Sequence, residues 1–136
     1  MGTENFQVDE ETRASPITET LGGVIRHIDD ARTQLECDYL GTDEFRNPAG
    51  NIQGGILSAM LDDITAWLVT VGIDRSERCA TLSLNTSFIR PANPGQLHGR
   101  AKMIHRGRTV CHVKGELWQE GRLVATAVVV CAIVRT

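Results

Sequence analysis

The sequence predicts a single α+β domain in which a curved antiparallel β-sheet wraps around one long central helix. The first observation behind this prediction is a strongly apolar stretch from about Gly54 to Val71, which is long enough to form a buried helix. The second is the series of strand-like segments that follows it, joined by short turns. Because consecutive strands with short turns pair antiparallel, the simplest arrangement buries the helix against the sheet.

The segment before the helix predicts a tail, a helical turn and two strands. Residues 1–15 are polar and acidic and are predicted to form a flexible tail, which leaves residues 16–136 as the domain. Pro16 favours one helical turn in "PITETLG". The segments "GVIRHID" and "RTQLECDYL" predict two short strands around Asp29 and Asp30. The next segment, "GTDEFRNPAG", indicates a loop that leads into the helix.

The segment after the helix predicts four strands. Gly72 is predicted to end the helix, and "CATLSLNTSFIR" alternates with a period of two. Leu82, Leu84 and Phe88 are predicted to share one face, and the polar residues to share the other: Thr81, Ser83, Asn85 and Ser87. Two further strands follow in "QLHGRAKMIH" and "TVCHVKGELWQ", and "LVATAVVVCAIV" is typical of a central strand covered on both faces. This arrangement describes a hotdog fold, although a generic α+β sandwich fits the same pattern.

The predicted helix carries two adjacent aspartates, which its periodicity separates. At about 100° per residue, the apolar side chains share one broad arc, and Ser58, Asp62 and Thr65 form a narrow polar stripe opposite it. From the pattern alone, this stripe is predicted to face solvent. Asp63 lies at the edge of the apolar arc, so we expect a structural carboxylate that is hydrogen-bonded to the backbone or to a partner subunit.

A pair of glycines, Gly54 and Gly55, stands at the start of the predicted helix. The first N–H groups of a helix lack intrahelical partners and carry the positive end of its dipole. Glycines allow a ligand to approach these groups closely, so such a site can polarise a carbonyl or hold an oxyanion. Asp62 lies two turns further along, and a carboxylate there could activate water or attack directly.

Composition excludes several classes of function. The net charge of −3 gives no general attraction to nucleic acid or to an anionic membrane, and no apolar run is long enough to span a bilayer. The N-terminal segment has no secretory pattern, and the cysteines form no CxxC pair, which predicts reduced, buried thiols in a cytoplasmic protein. The histidines at positions 98, 105 and 112 alternate between strand faces, so no metal site is predicted.

The segment "NPAGNIQGGILSAMLDD" resembles the N-x-x-G-x-x-H-G-G-x-x-x-x-L-x-D signature of hotdog-fold acyl-CoA thioesterases, in particular the phenylacetate-degradation (PaaI-like) group. The later segment "LSLNTSFIRPANPGQLHGRAKMIHRGRTVCHVKGELWQEGRLVATA" is similar to the strand block that follows this signature in the family. The resemblance covers about residues 20–135. It implies hydrolysis of an acyl-CoA to a free acid and coenzyme A, with no separate cofactor because coenzyme A is part of the substrate.

The resemblance also implies roles for individual residues. Asp62 matches the catalytic carboxylate, as general base or nucleophile, and Gly54 matches the glycine whose N–H polarises the thioester carbonyl. Asn47 matches a residue that positions the thioester or the water, and Thr81 stands where relatives carry a hydroxyl near that water. Gln53 replaces the histidine of the H-G-G motif; glutamine can donate a hydrogen bond but does not titrate near neutrality.

In the family, coenzyme A lies along a subunit boundary with its phosphates outside. Arg90, Arg106 and Arg108 flank predicted turns where such phosphates could bind, and arginine suits bidentate phosphate contacts. The equally weighted alternative is three surface arginines in solvent. Gly55 is expected to leave room for the substrate beside the backbone.

The resemblance implies an oligomer with shared active sites. A lone sheet of this kind leaves an open edge and apolar surface, so we expect a homodimer or a dimer of dimers. Asn47 and Gly54 of one subunit would then act with Asp62 of the other. The alternative is an acyl-CoA-binding protein without catalysis. A hotdog dehydratase is disfavoured, because it needs a histidine on the helix and none is present there.

Overall fold

The computed structural model describes residues 15–135. Except for Ser15, the predicted tail lies outside the described residues. Its flexibility and the division of the chain at residue 16 therefore stay predictions. The helical elements are α1 (Pro16–Thr20), a 3-10 turn (Asp43–Phe45) and α2 (Gly54–Thr70). The strands, in chain order, are β1 (Val24–Ile28), β2 (Gln34–Gly41), β3 (Glu77–Phe88), β4 (Gly95–Arg106), β5 (Val110–Gln119) and β6 (Arg122–Arg135).

The six strands form one antiparallel sheet in the order β1-β2-β4-β5-β6-β3. Helix α2 packs against β2 to β6, and the apolar side chains of the helix are almost fully buried there, for example Leu57, Met60, Leu61, Ile64 and Leu68. Each such side chain stabilises the fold by about 1.5–3 kcal/mol through burial alone. This architecture confirms the predicted hotdog fold and each of its predicted elements.

Strand β3 departs from the predicted alternation because it contains a β-bulge. Its register with β6 shifts between Thr81 and Ser83, so Leu82 is an extra residue in the strand. Leu82 is consequently 62% exposed, whereas Leu84 packs against the core. The prediction that Leu82 and Leu84 share a face is wrong, because the bulge reverses the alternation. Upstream of the bulge, Thr81 turns toward helix α2.

Strand β6 lies between β5 and β3, which agrees with the predicted central strand. The prediction that both of its faces are covered does not hold within the described chain, where only the inner face is covered. Ala127 and Val129 are buried, while Val128 between them is 49% exposed. Strand β3 pairs only with β6 among the described residues, and its 12-residue length therefore presents an open edge. The isolated chain thus leaves both apolar surface and unpaired backbone groups that an oligomer would cover.

Asp63 joins helix α2 to α1 and β2. Thr18 Oγ1 donates to Asp63 Oδ1 at 2.7 Å, and the Tyr39 hydroxyl donates to Asp63 Oδ2 at 2.7 Å. The Trp67 indole N–H in turn donates to Thr18 Oγ1 at 2.9 Å. Burial raises the pKa of the Asp63 carboxyl, although the two hydroxyl donors oppose this shift. The role is structural as expected, but its partners are side chains of the same chain rather than backbone groups.

The four cysteines are free; Cys37, Cys111 and Cys131 are buried as predicted, whereas Cys79 is half-buried. Among the described residues, no helix has both the length and the apolarity needed to cross a bilayer. Residues 15–135 also hold no cluster of three or more histidine, cysteine or acidic side chains placed to bind a metal ion.

Candidate active site

The N-terminus of helix α2 presents free backbone donors in an accessible position. Gln53 precedes the helix, and its backbone carbonyl accepts from the N–H of Ile56 at 2.9 Å, while its side chain makes no capping hydrogen bond. The first N–H groups without an intrahelical acceptor therefore belong to Gly54 and Gly55. A Cβ at position 55 would meet no atom within 4 Å, so Gly55 leaves open space around its N–H.

Gly54 is a glycine for a steric reason. A Cβ there would lie 3.1 Å from Cζ and 3.2 Å from Cε1 of Phe88, which is closer than carbon atoms normally pack. The ring of Phe88 therefore rests directly on the start of helix α2. A side chain at position 54 would displace the ring and cover the N–H that the resemblance assigns to carbonyl polarisation.

Asn47 organises the loop in front of the helix. Its Oδ1 accepts from the N–H groups of Ala49 at 3.0 Å and Asn51 at 3.1 Å, and its own N–H donates to the Asn51 carbonyl at 2.7 Å. These bonds orient the side-chain amide and leave its Nδ2 group as the donor that can reach a ligand. Asn47 thereby lies beside the helix N-terminus, as the predicted site requires.

Two cavities meet at this end of helix α2. The Gly54 cavity has a volume of about 360 Å³, and its lining includes Asn47, Asn51, Gly54, Leu57, Phe88 and Arg90. The Gln53 cavity has a volume of about 390 Å³, and its lining includes Phe45, Asn47, Gln53 and Ile56. Asn47 contributes to both. The structure thus brings four of the predicted site residues together: Asn47, Gln53, Gly54 and Arg90.

Ser58 and Asp62 of the polar stripe on helix α2 face strand β3, and Thr65 is buried, so the prediction that the stripe faces solvent is wrong. Thr81 Oγ1 donates to Asp62 Oδ1 at 2.7 Å, and Ser58 Oγ donates to Thr86 Oγ1 at 3.0 Å. Thr65 is fully buried and donates to the carbonyl of Leu61. Asp62 is half-buried, with one carboxylate oxygen held by Thr81. The predicted pair of Asp62 and Thr81 is therefore in direct contact.

Within one chain, however, the two parts of the predicted site lie apart. Gly54 and Asp62 are separated by eight residues of continuous helix, which corresponds to about 12 Å along the axis. Asn47 and Gln53 stay with Gly54, and Thr81 stays with Asp62. A single thioester carbon cannot contact both groups at that separation, so within one chain the predicted site is divided into two parts, which we call half-sites.

Arg106 lies at the other end of helix α2. Its guanidinium donates to the backbone carbonyls of Leu68 at 3.2 Å, Val69 at 3.4 Å and Arg32 at 3.1 Å. A cation at the C-terminus of a helix satisfies carbonyls that lack partners and interacts favourably with the helix dipole. This capping role explains an arginine at position 106, and the predicted phosphate contact stays a prediction.

The other two arginines differ in environment. Arg90 lines the Gly54 cavity, where its Nη1 donates to the carbonyl of Leu123 at 2.8 Å. Arg108 is exposed in the turn between β4 and β5. Their contacts with coenzyme A also stay predictions.

Sequence reasoning missed the contact of Phe88 with Gly54. The signal that could have found it is an aromatic residue at the end of a strand, followed by "IRPANPG", which is compatible with a cavity wall.

Comparisons with known proteins agree on one family. The family described as acyl-CoA thioesterase N-terminal domain matches residues 43–132. A phenylacetic acid degradation-related protein from Ralstonia eutropha JMP134, assigned to the thioesterases, is 55% identical, with 85% of this chain and 88% of that chain covered and a TM-score of 0.84. A thioesterase from Haemophilus influenzae has a TM-score of 0.85 at 17% identity, over 98% and 94% of the two chains.

A thioesterase family protein from Silicibacter pomeroyi is similar in fold, with a TM-score of 0.85 at 20% identity, over 95% of this chain and 96% of that chain. No curated protein matches this chain. The matched region, residues 43–132, includes Asn47, Gly54, Asp62 and Thr81. Both half-sites therefore lie inside the region that matches the family.

Proposed function

The chain belongs to the acyl-CoA thioesterase family and is a thioester hydrolase, and from this premise we propose that Asp62 and the N-terminus of helix α2 together hydrolyse a coenzyme A thioester. The observation that carries this proposal is the 2.7 Å hydrogen bond from Thr81 to Asp62, which orients a half-buried carboxylate at the open edge of the sheet. Histidine is not needed, since a carboxylate can serve as base or nucleophile.

In the proposed reaction, the thioester carbonyl oxygen accepts a hydrogen bond from the Gly54 N–H at the positive end of helix α2. This contact stabilises the negative charge that develops on the oxygen as the carbonyl carbon is attacked. The Nδ2 group of Asn47, oriented by its loop, positions the thioester or the attacking water. The Gly54 cavity receives the part of the acyl group nearest the carbonyl.

Asp62 accepts a proton from the attacking water and later returns it to the leaving group. Because Thr81 holds Oδ1, the other carboxylate oxygen is free to take a proton from water as the water oxygen bonds to the carbonyl carbon. The tetrahedral intermediate then loses the C–S bond, and Asp62 returns the proton to the departing thiolate, which gives the free acid and coenzyme A. Direct attack by the Asp62 carboxylate, through an anhydride that water opens, gives the same products.

The separation of the half-sites supports an active site shared between two subunits. Since Gly54 and Asp62 lie about 12 Å apart along one helix, the carboxylate that acts beside Gly54 comes from a second copy of the chain. The open edge of β3 and the exposed outer face of β6 provide surface for that contact. We therefore propose that the active form is a homodimer or a dimer of dimers, and, because reduced thiols are expected from the sequence, that it lies in the cytoplasm.

The 55% identical relative suggests which acyl group to test first. Its name links it to phenylacetic acid degradation, so phenylacetyl-CoA and its ring-substituted forms are the proposed substrates. The assay follows the release of free thiol from a panel of acyl-CoAs. We expect multiple turnovers with at least one arylacetyl-CoA. Tight binding without thiol release from any member of the panel would contradict hydrolysis and favour an acyl-CoA-binding protein.

Gln53 is expected to contribute one polar contact to the bound thioester. Its side chain is exposed in the Gln53 cavity, while its backbone N–H donates to the Phe45 carbonyl at 2.8 Å. Gln53→Ala should keep that backbone bond and lower kcat/KM by an amount that corresponds to about 1–3 kcal/mol. Gln53→His restores the residue of the H-G-G motif and should be tolerated. Steady-state kinetics that are unchanged in Gln53→Ala would show that this side chain does not touch the thioester.

A further inference from the structure

Phe88 is a large aromatic side chain that the hydrophobic core does not account for. It is the last residue of β3, and it remains 54% exposed. Its buried part lies against Gly54, so close that a Cβ there would be 3.1 Å from the ring. The remaining surface of the ring is turned to the Gly54 cavity and to solvent.

The backbone that carries Phe88 is held by strand β6. Phe88 pairs with Ala125 in β6, and beyond it the N–H groups of Ile89 and Arg90 both donate to the Val124 carbonyl, at 2.8 and 3.2 Å. Two residues after Arg90, the Ala92 carbonyl accepts from the N–H of Ile52, across the cavity, at 2.8 Å. The ring is therefore attached to a rigid wall, which can discriminate between ligands by size.

The Gly54 cavity has the properties of an acyl-binding pocket. Its walls are mainly apolar, with Leu57 and Phe88 beside Gly54 and with the polar side chains of Asn47, Asn51 and Arg90, which is the usual composition of a small-molecule site. Its volume of about 360 Å³ compares with about 150 Å³ for an apolar cavity that binds benzene. The space is sufficient for one ring and the link to a thioester, and Phe88 forms part of its wall.

We propose that Phe88 determines which acyl groups this enzyme accepts, by packing against the acyl group next to the carbonyl that Gly54 binds and by limiting its size. This inference rests on the proposed function, because it uses the Gly54 N–H as the carbonyl site. A flat ring gains an aromatic contact with Phe88. A wider ring system meets the fixed Phe88 side chain and is excluded.

The test compares two thioesters that differ only in ring size, phenylacetyl-CoA and naphthylacetyl-CoA, in wild type, Phe88→Leu and Phe88→Ala. The ratio of kcat/KM for naphthylacetyl-CoA to that for phenylacetyl-CoA should rise by about 10-fold or more in Phe88→Ala, since apolar pockets discriminate that strongly by size. Phe88→Leu should give a smaller rise, and phenylacetyl-CoA should lose about 2- to 10-fold in both variants through the missing aromatic contact.

Ile104→Ala is the matched control, because Ile104 is also a large exposed side chain, 58% accessible, but lies in β4 and does not line the cavity. Its selectivity ratio should equal that of wild type. If the ratio is unchanged in Phe88→Ala, whether or not kcat/KM falls equally for both thioesters, the proposal is overturned. Phe88 would then only support Gly54. Thermal unfolding shows whether each variant is folded. If Phe88→Ala does not fold, the selectivity ratio of Phe88→Leu is used to test the proposal.

Binding measurements separate this proposal from the proposed function. Non-hydrolysable thioether analogues of the two substrates are titrated by calorimetry against wild type and the two Phe88 variants. If wild type hydrolyses no thioester but prefers the phenylacetyl analogue, and the preference weakens in Phe88→Ala, the hydrolytic assignment is wrong and the pocket assignment holds. If wild type is active and the preference among analogues does not depend on Phe88, the pocket assignment is wrong.

Discussion

Replacement of Asp62 by asparagine is expected to lower kcat by about 10²- to 10⁴-fold, the range for loss of a positioned acid–base group. The asparagine Oδ1 can still accept the hydrogen bond that Thr81 donates to Asp62 at 2.7 Å, so the contact between α2 and β3 is kept. The amide cannot take a proton from water or attack a carbonyl. Initial rates of thiol release, measured beside thermal unfolding, should therefore show a large loss of turnover with little change in stability.

Asp63 provides the matched control, because it is the next residue and carries the same functional group. Asp63→Asn places an N–H₂ group opposite one of two hydroxyl donors, Thr18 or Tyr39, each now 2.7 Å from a carboxylate oxygen. One donor loses its acceptor in a buried setting, so we expect a loss of about 1–3 kcal/mol in the free energy of unfolding. Turnover should be largely retained. An inactive Asp63 variant beside an active Asp62 variant would show that the catalytic assignment is wrong by one position.

The contrast between these two aspartates also shows how far sequence reasoning reaches. Periodicity correctly separates them and correctly groups Asp62 with Ser58, whereas Thr65 is buried beside β5. It could not identify what faces that group, because the position of β3 beside the helix depends on long-range strand pairing. The pattern therefore predicts a solvent-exposed face, whereas two members of the stripe bind β3 hydroxyls and the third is buried.

The bulge in β3 marks a second limit of the sequence pattern. An alternating strand of 12 residues gives no sign of one extra residue, yet inserting Leu82 changes which side chains face the helix. Thr81 could be placed near the reacting water only by resemblance, and the structure supplies the physical basis for its contact with Asp62. The helix and the meander, in contrast, depend on local composition and could be predicted directly.

Arg106 illustrates a third limit. A basic residue beside a turn predicts a phosphate contact and a solvent-exposed side chain equally well, and whether it instead caps a helix depends on which helix end folds against the turn. Here the end of α2 lies within hydrogen-bond distance of the guanidinium. Sequence distance gives no hint of this contact, because 37 residues separate Arg106 from Val69.

Mixing two inactive variants is expected to restore about a quarter of wild-type activity, because each active site draws one half from each chain. The variants are Asp62→Asn and Asn47→Ala, which damage different half-sites. In either homodimer both sites carry a lesion. A mixed dimer contains one intact site and one site with both lesions, and random exchange at equal amounts makes about half of all dimers mixed.

The structural reason for this expectation is the position of the two groups on one rigid helix. Gly54, beside Asn47, begins α2, and Asp62 lies about 12 Å further along it. No movement of a side chain closes that distance. A second chain placed against the open edge of β3 can bring its own Asp62 and Thr81 toward the first chain's Gly54. Light scattering of wild type should accordingly give a dimer or a larger even assembly.

The choice of variant at position 47 needs its own control. Asn47→Ala removes the oxygen that accepts from the N–H groups of Ala49 and Asn51, so it also loosens the loop. Asn47→Asp keeps that acceptor and replaces the Nδ2 donor with a negatively charged carboxylate oxygen, and complementation should occur with either variant. The proteins are mixed after reversible dissociation, and mass spectrometry of the native assemblies confirms exchange. Confirmed exchange without recovery of activity would place the whole site within one chain, or would remove Asn47 from it.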